Sequence, residues 1–162
     1  MTTPMQRLRS TDTASLLRLG LIGLALLGMA GTALELVFLE HWDGVTQQIV
    51  WPALLVLCLA LLLFVWRPTP GRVRTARVLA GVVLGVAALG IWFHVEENLD
   101  AGFLDRTYGD SWEHRSTLDQ AWLAVTGQVG PAPTLAPGTL AEISLAILLV
   151  TVRLPMPDRR SA

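Results

Sequence analysis

The sequence predicts an all-α fold: a membrane-embedded four-helix bundle with a long extracytoplasmic loop that carries a short amphipathic helix. Hydrophobic residues make up 52% of the 162 residues and charged residues only 15%, whereas proteins on average contain about 25% charged residues. Four apolar runs recur along the chain, and arginines and carboxylates collect at opposite ends of these runs. The length fits a single domain that comprises residues 1–162.

The four apolar runs are predicted to be membrane spans, at about residues 14–39, 48–66, 76–96 and 137–154. A hydrocarbon core of about 30 Å requires roughly 20 helical residues. A helix is required because lipid offers no partner for backbone N–H and C=O groups. The fourth run is the shortest, and it reaches the required length only if its helix begins near Ala136 and continues to Leu154.

Local signals predict where the spans begin and end. Asp12 or Thr13 is expected to cap the first span, and the sequence RPTPG at 67–71 should break the chain between the second and third spans. Thr139 stands three residues before Glu142, a capping-box spacing that predicts the start of the fourth span. The first run is longer than the roughly 7–15 apolar residues of a signal peptide, so we expect it to be retained.

The arginine distribution predicts the orientation. All arginines except Arg106 and Arg115 fall at one end of the four spans, and the chain contains no lysine. The positive-inside bias then places both termini in the cytoplasm. The opposite side collects the carboxylates of Glu40, Asp43, Glu96, Glu97, Asp100, Asp105, Asp110, Glu113 and Asp119.

The outer loop, about residues 99–136, is too long for a simple connection. Within it, residues 116–128 are predicted to form a short amphipathic helix with an apolar stripe of Leu118, Trp122 and Val125 or Ala121. Thr117 and Gln120 have capping-box spacing at its start. We expect this helix to lie on the membrane surface or over the end of the bundle.

Small residues predict which helix faces pack together. One stripe of the third span contains Ala80, Val83, Ala87, Gly90, His94, Glu97 and Asn98, and a second packing face is expected at Gly81, Gly85 and Ala88. In the first span, Glu35 shares a stripe with Gly28, Gly31 and Thr32. We therefore expect His94 and Glu35 to face protein.

The first and third spans both end in histidine and carboxylates, as ELVFLEHWD at 35–43 and FHVEENLD at 93–100. Both spans run outward, so these ends are predicted to converge in one polar cluster. The cluster residues are Glu35, Gln48, His94, Glu97 and Asn98. A carboxylate inside a span is costly, which makes Glu35 a functional candidate, alone or with His94 as a proton or cation relay.

The same layer contains side chains that bind metals. Histidine and carboxylates that project into a helical bundle can hold a transition metal, and the candidate ligands are His94, Glu97, Glu35 and His41, with Glu40 and Glu142 nearby. A haem ligated by His94 is a further option. The alternative is that Glu96, Glu97 and Asp100 are a solvated helix end, that His41 is an ordinary interfacial residue, and that Glu142 caps its helix.

The segments LELVFLEHWD, FHVEENLD and PTLAPGTLAEISLAILLV resemble a family of small, uncharacterised bacterial four-pass integral membrane proteins. The resemblance covers most of residues 30–152 and implies a protein of the bacterial cytoplasmic (inner) membrane, but no activity. No nucleotide loop, zinc-protease motif, nucleophile elbow or haem-attachment motif occurs, and no catalytic residue is predicted.

Three functions remain open from the sequence. The first is a non-enzymatic membrane subunit or accessory protein whose polar cluster holds the bundle together. The second is a metal- or haem-binding redox protein, and the third is a small proton-coupled transporter. The expected partners are the lipid bilayer and other membrane proteins or a second copy of the chain, and no nucleic acid is expected.

Overall fold

A computed structural model describes the backbone of residues 4–152 and the side chains of residues 13–152 except Thr46. The α-helices are α1 (Pro4–Phe38), α2 (Val45–Gln48), α3 (Val50–Trp66), α4 (Pro70–Ala101), α5 (Thr117–Val125) and α6 (Gly138–Val150), with 3₁₀ turns at Gly102–Leu104 and Gly109–His114. No strand occurs between residues 4 and 152. The predicted all-α class is confirmed.

The helices α1, α3, α4 and α6 pack around one apolar core. α6 lies between α1 and α4, and α3 packs mainly on the other side of α4. Contacts of α3 with α1 and α6 are less extensive. The core consists largely of alanine and leucine, and its most buried members are Ala25, Leu57, Ala60, Ala76, Ala80, Ala87 and Ile147. Small side chains at these positions let the helix axes approach closely.

Two of these helices are long and apolar enough to cross a membrane, through the segments Thr13–Phe38 and Pro70–Leu104. α3 and α6 are also apolar, but they contain only 17 and 13 residues. α6 ends at Val150 rather than at the predicted residue 154, and Leu154 lies outside the described residues.

The N-cap predicted for the first helix is wrong, and α4 is longer than the span predicted within it. α1 begins at Pro4, so Asp12 and Thr13 lie inside the helix instead of capping it. α4 spans Pro70–Ala101, beyond the predicted 76–96, because Thr69 caps it. The Thr69 side chain accepts a hydrogen bond from the Arg72 N–H, and a proline at the first helical position needs no hydrogen-bond acceptor. The predicted break between α3 and α4 is confirmed.

Both predicted capping boxes are also wrong. Pro137 occupies the N-cap position of α6, and the Thr139 hydroxyl donates to the Ala136 carbonyl 2.9 Å away. Glu142 therefore has no capping role and is exposed. α5 is confirmed as a helix, but its cap is Ser116, whose hydroxyl accepts from the Asp119 N–H at 3.2 Å.

Of the helix faces predicted to pack through small residues, some are buried and one is exposed. Ala80, Val83 and Ala87 are buried in the core, as predicted. Gly28 packs against α6, where an added Cβ would lie 2.9 Å from the Ile143 side chain. The second face, at Gly81, Gly85 and Ala88, is exposed, and a Cβ at either glycine would meet no atom within 4 Å. The prediction that this face packs within the chain is wrong.

At the arginine-rich end, Arg77 joins α4 to the end of α6. Its Nε donates to Thr151 Oγ1 at 3.1 Å, and its guanidinium also donates to the Thr151 carbonyl. Thr151 is fully buried. This contact holds the two central helices together at the end opposite to the long loop.

Candidate functional site

Asn98 anchors the long loop to α4. The side chain is fully buried near the end of that helix. Its Nδ2 donates to the carbonyls of Ala124 at 3.2 Å and Ala132 at 2.9 Å, and its Oδ1 accepts from the Ala132 N–H at 2.9 Å. One amide therefore fixes both the end of α5 and the connector, residues 126–137, which leads from α5 to α6.

His94 lies one helical turn before Asn98 on α4 and contacts the same connector. Its Nδ1 lies 2.9 Å from the Pro133 carbonyl oxygen. Because a carbonyl only accepts hydrogen bonds, this contact places a proton on Nδ1. Further down α4, Gly90 contacts the Pro137 ring, where an added Cβ would lie 3.0 Å from it. The connector thus follows α4 down to the start of α6.

Glycine lets the connector pass this close to Asn98. Gly130 has a φ of +78°, and a Cβ at this position would overlap the Asn98 amide. Gly127, with a φ of +65°, ends α5 in the left-handed conformation that glycine adopts at low cost. These two residues turn the backbone so that Ala132 reaches the Asn98 side chain.

Residues 102–136 form a folded unit, the outer cap, with a small core of its own. The core contains Trp112, Leu123, Ala124 and Val129, packed against Val95 and Leu99 of α4 and against Tyr108. At its surface, the Arg115 guanidinium forms an ion pair with Asp119 and stacks 4.8 Å from the centre of the Tyr108 ring. The long loop is therefore a packed structure fastened to the end of α4.

The other residues of the predicted polar cluster lie apart from this anchor. Glu35 and Glu97 are exposed, and the described residues give neither carboxylate a hydrogen-bond partner. Gln48 donates to the Trp42 carbonyl at 2.9 Å, within its own turn. The His41 carbonyl accepts from the Trp51 indole N–H at 3.0 Å. In the structure, His94 and Asn98 of α4 both contact the connector, and His94 makes no contact with Glu35.

No metal centre is evident among the described residues. Between residues 13 and 152, no group of three or more histidine, cysteine, aspartate or glutamate side chains could hold a metal ion. The ligand set of His94, Glu97, Glu35 and His41 stays a prediction. Glu40, a further candidate, has a φ of 49° and is exposed in the turn after α1.

The structure reveals a second candidate site, the Glu142 groove, on the surface between α1 and α6. The groove has a volume of about 140 Å³. Its lining consists of Leu24, Ala25, Leu27, Gly28, Thr139, Glu142, Ile143 and Ala146. Glu142 is the one ionisable residue in this lining, and no described residue donates a hydrogen bond to its carboxylate.

Contacts with α1 fix the height of Glu142 along the helices. Thr32 Oγ1 donates to Thr139 Oγ1 at 3.3 Å, and Gly28 packs on Ile143. Glu142 therefore lies at the level of residues 28–32 of α1, about 9–15 Å below Phe38 at a rise of 1.5 Å per residue. That level lies inside the apolar segment Thr13–Phe38, in the half nearer Phe38, and at least about 15 Å along α1 from Arg18.

The sequence placed Glu142 only near the candidate metal ligands, because its spacing to Thr139 suggested a capping box. The available signal was a carboxylate within the 13-residue apolar helix α6. An ionisable residue inside an apolar span is a functional candidate by default. This argument was applied to Glu35, which the structure places nearer the outer end of α1, and it applies with more force to Glu142.

Comparison with known proteins gives no further assignment: no family model, curated protein or solved structure matches this chain.

Proposed function

We propose that this chain is a small integral protein of the bacterial cytoplasmic membrane that acts as a non-enzymatic accessory subunit. In this proposal α1, α3, α4 and α6 form a four-helix bundle that crosses the bilayer, with both termini in the cytoplasm. The outer cap is displayed on the extracytoplasmic side. Its task is structural: it presents a fixed surface to other membrane components.

The observation that carries this proposal is the apolar surface of the packed helices. Only 22% of the apolar window of α1 and 17% of that of α4 is buried within the chain. The core helix of a soluble protein would be mostly buried. Large apolar side chains are exposed on all four helices, among them Leu27, Leu55, Leu62, Val82, Leu89 and Leu149. A surface of this extent is far more than a soluble monomer exposes and matches a lipid environment.

The charge distribution supports the orientation. Arg67, Arg72, Arg74 and Arg77 lie at or near the connection between α3 and α4, opposite to the outer cap. Arg106 and Arg115 are the arginines within the outer cap, where acidic residues outnumber them. Short arginine-rich connections favour the cytoplasmic side.

The hydrogen bonds of the outer cap support a structural role. His94 and Asn98, two residues of the predicted polar cluster, are hydrogen-bonded to backbone groups of the connector or of the end of α5. Among the described residues, no buried side-chain nitrogen or oxygen lacks a hydrogen-bond partner. Catalytic sites commonly retain unpaired or strained polar groups. In the outer cap, the buried side-chain nitrogen and oxygen atoms instead all have hydrogen-bond partners.

The first experiment tests membrane integration and orientation. Reporter fusions at Gly71 and at Gly109 should report opposite sides, with Gly71 in the cytoplasm, and the protein should stay in the membrane fraction during carbonate extraction. Release by carbonate would contradict an integral protein. A cytoplasmic signal from the Gly109 fusion would contradict the orientation.

The second experiment tests the accessory role. Detergent-purified protein should contain no stoichiometric metal or haem when its elemental composition and absorption spectrum are measured. One bound metal ion or haem per chain, lost in His94→Ala, would contradict the accessory role and favour the redox alternative. Because His94 also holds the connector, His94→Gln should be measured beside it, since glutamine can still donate to the Pro133 carbonyl.

A further inference from the structure

We propose that the Glu142 groove receives a membrane-spanning helix of a partner protein, through an arginine or lysine side chain near the middle of that helix. This inference rests on the proposed function, because it names the class of partner for an accessory subunit. Three features of the groove carry it: its size, its unpaired carboxylate and the apolar stripes beside it.

The size of the groove fits one long side chain. Its volume is about 140 Å³, whereas pockets for cofactors and drug-sized ligands occupy about 300–1,000 Å³. Ala25, Gly28 and Ala146 leave the space open, because none of them extends a side chain into it. A cofactor would protrude from the groove, but an arginine or lysine stem would fit beside the leucines.

A cation would complement the carboxylate of the groove. Glu142 is exposed within the apolar surface, at the level of residues 28–32 of α1, where a lone carboxylate in lipid is costly. The described arginines lie toward the helix ends or in the outer cap; Arg18, for example, lies about 15 Å below Gly28 along α1. No arginine on the described part of the chain reaches Glu142. A cation from outside would offset the cost, and its own cost in lipid would be offset in turn.

The surface beside the groove has the shape that a helix needs. On α1, Leu24, Leu27, Gly31 and Leu34 are exposed at helical spacing and form one stripe. On α6, Glu142, Leu145 and Leu149 form a second stripe beside it. The stripe on α1 covers about three turns and the stripe on α6 about two. A helix that lies between them would bury these leucines, and Gly31, where nothing lies within 4 Å of an added Cβ, would allow its backbone to approach closely.

The test uses the full-length protein in phosphatidylcholine vesicles and synthetic leucine- and alanine-rich peptides of about 23 residues as probes. One peptide carries a central arginine, a second carries a central leucine, and a third carries the arginine near one end. Binding is measured by energy transfer between labelled protein and labelled peptide. The central-arginine peptide should bind at least about tenfold more tightly than the other two.

Variants identify the residue responsible. Glu142→Leu should remove the preference for the central arginine, and Glu142→Gln should reduce it, since an amide still accepts a hydrogen bond. Glu96→Gln is the matched control, because Glu96 is an exposed glutamate at the outer end of α4, and it should bind as the unmodified protein does. Thermal unfolding of each variant in detergent verifies that the helices remain folded.

Three results would overturn the inference. The first is that the leucine and arginine peptides bind equally well. The second is that both Glu142 variants keep the preference for the central arginine. The third is that octylammonium binds saturably in a Glu142-dependent manner while the arginine peptide does not bind. If the protein remains carbonate-resistant in any of these cases, the inference fails and the proposed membrane role stands. If carbonate releases the protein, the proposed function itself fails.

Discussion

At the scale of single residues, Asn98 and Glu142 illustrate two fates of a polar side chain in an apolar helix. Asn98 is fully buried and all three of its contacts are good hydrogen bonds to backbone groups. Glu142 is exposed and has no such partner among the described residues. A buried polar group with hydrogen-bond partners stabilises the fold, whereas a polar group without partners in lipid is costly and is stabilised by binding a partner.

Asn98→Ala should lower the free energy of unfolding of the outer cap by about 2–4 kcal/mol. The substitution removes three hydrogen bonds and leaves the buried N–H and C=O of Ala132 unpaired. Hydrogen exchange of residues 124–136 should accelerate while that of α3 should not. Glu97→Ala is the control, because Glu97 directly precedes Asn98 on α4 and its side chain is exposed. Equal exchange in Asn98→Ala and the unmodified protein would refute the anchor.

The sequence predicted the position of Asn98 but not its partners. Helical periodicity placed Asn98 and His94 on the inward stripe of α4, and that placement is confirmed. Their partners lie 26 to 39 residues away in the chain. Which backbone groups arrive there depends on the turns at Gly127 and Gly130, and no local pattern determines such a path.

At the scale of elements, α5 combines two apolar faces. Leu123 and Ala124 are buried in the core of the outer cap, whereas Leu118, Trp122 and Val125 form an exposed stripe. This is the apolar stripe that the sequence predicted. Because α5 packs on the end of α4, the stripe lies near the outer surface of the proposed membrane, where amphipathic helices dock.

A nitroxide at position 118 should therefore contact lipid. We expect Leu118→Cys, labelled in a Cys58→Ser background, to collide more often with oxygen than with a water-soluble nickel chelate. Leu118 is 84% exposed, so the label should not disturb the fold. A label at Glu113→Cys, which is exposed in the preceding turn, should show the opposite preference. Aqueous behaviour at both positions would contradict docking of α5 on the bilayer.

The glycines of α1 and α4 should respond differently to enlargement. Gly28→Leu should destabilise the packed helices by about 1–3 kcal/mol, because its side chain would displace Ile143. Gly81→Leu should be tolerated, since nothing lies within 4 Å of an added Cβ. Thermal unfolding in detergent measures both. If Gly81→Leu is the more destabilising of the two, the exposed face of α4 must be covered in the folded protein.

This contrast shows why small residues alone predict contacts poorly. Gly28 and Gly81 lie in similar glycine-rich, apolar sequences. Only Gly28 faces a neighbouring helix, since α6 packs between α1 and α4 and leaves the Gly81 face exposed. The arrangement of the helices around one another is a property of the whole core, and periodicity within one helix does not contain it.

At the scale of the whole molecule, α4 and α6 are fastened at both ends. His94, Asn98 and Gly90 hold the connector and the start of α6 at the outer end. Arg77 holds Thr151 at the other end. The outer cap and the helical core share α4. The all-α class could be predicted because the length of the apolar runs is visible without tertiary contacts.

Arg77→Ala should loosen the arginine-rich end without releasing the outer cap. Loss of its two contacts with Thr151 should lower the free energy of unfolding by about 1–2 kcal/mol. Arg74→Ala should change it little, because Arg74 is exposed and makes no such contact. Protease resistance of the outer cap should be the same in both variants. Early cleavage of the outer cap in Arg77→Ala would show that the two ends are coupled.

The short length of α6 has a consequence for the surrounding lipid. Its 13 residues extend about 20 Å, against a hydrocarbon thickness of about 30 Å. In the proposed four-helix bundle, the bilayer beside α6 would thin, at a cost of a fraction of a kcal/mol per ångström. Such a protein should gather in thin bilayers: between vesicles of short- and long-chain phosphatidylcholine, it should partition into the former.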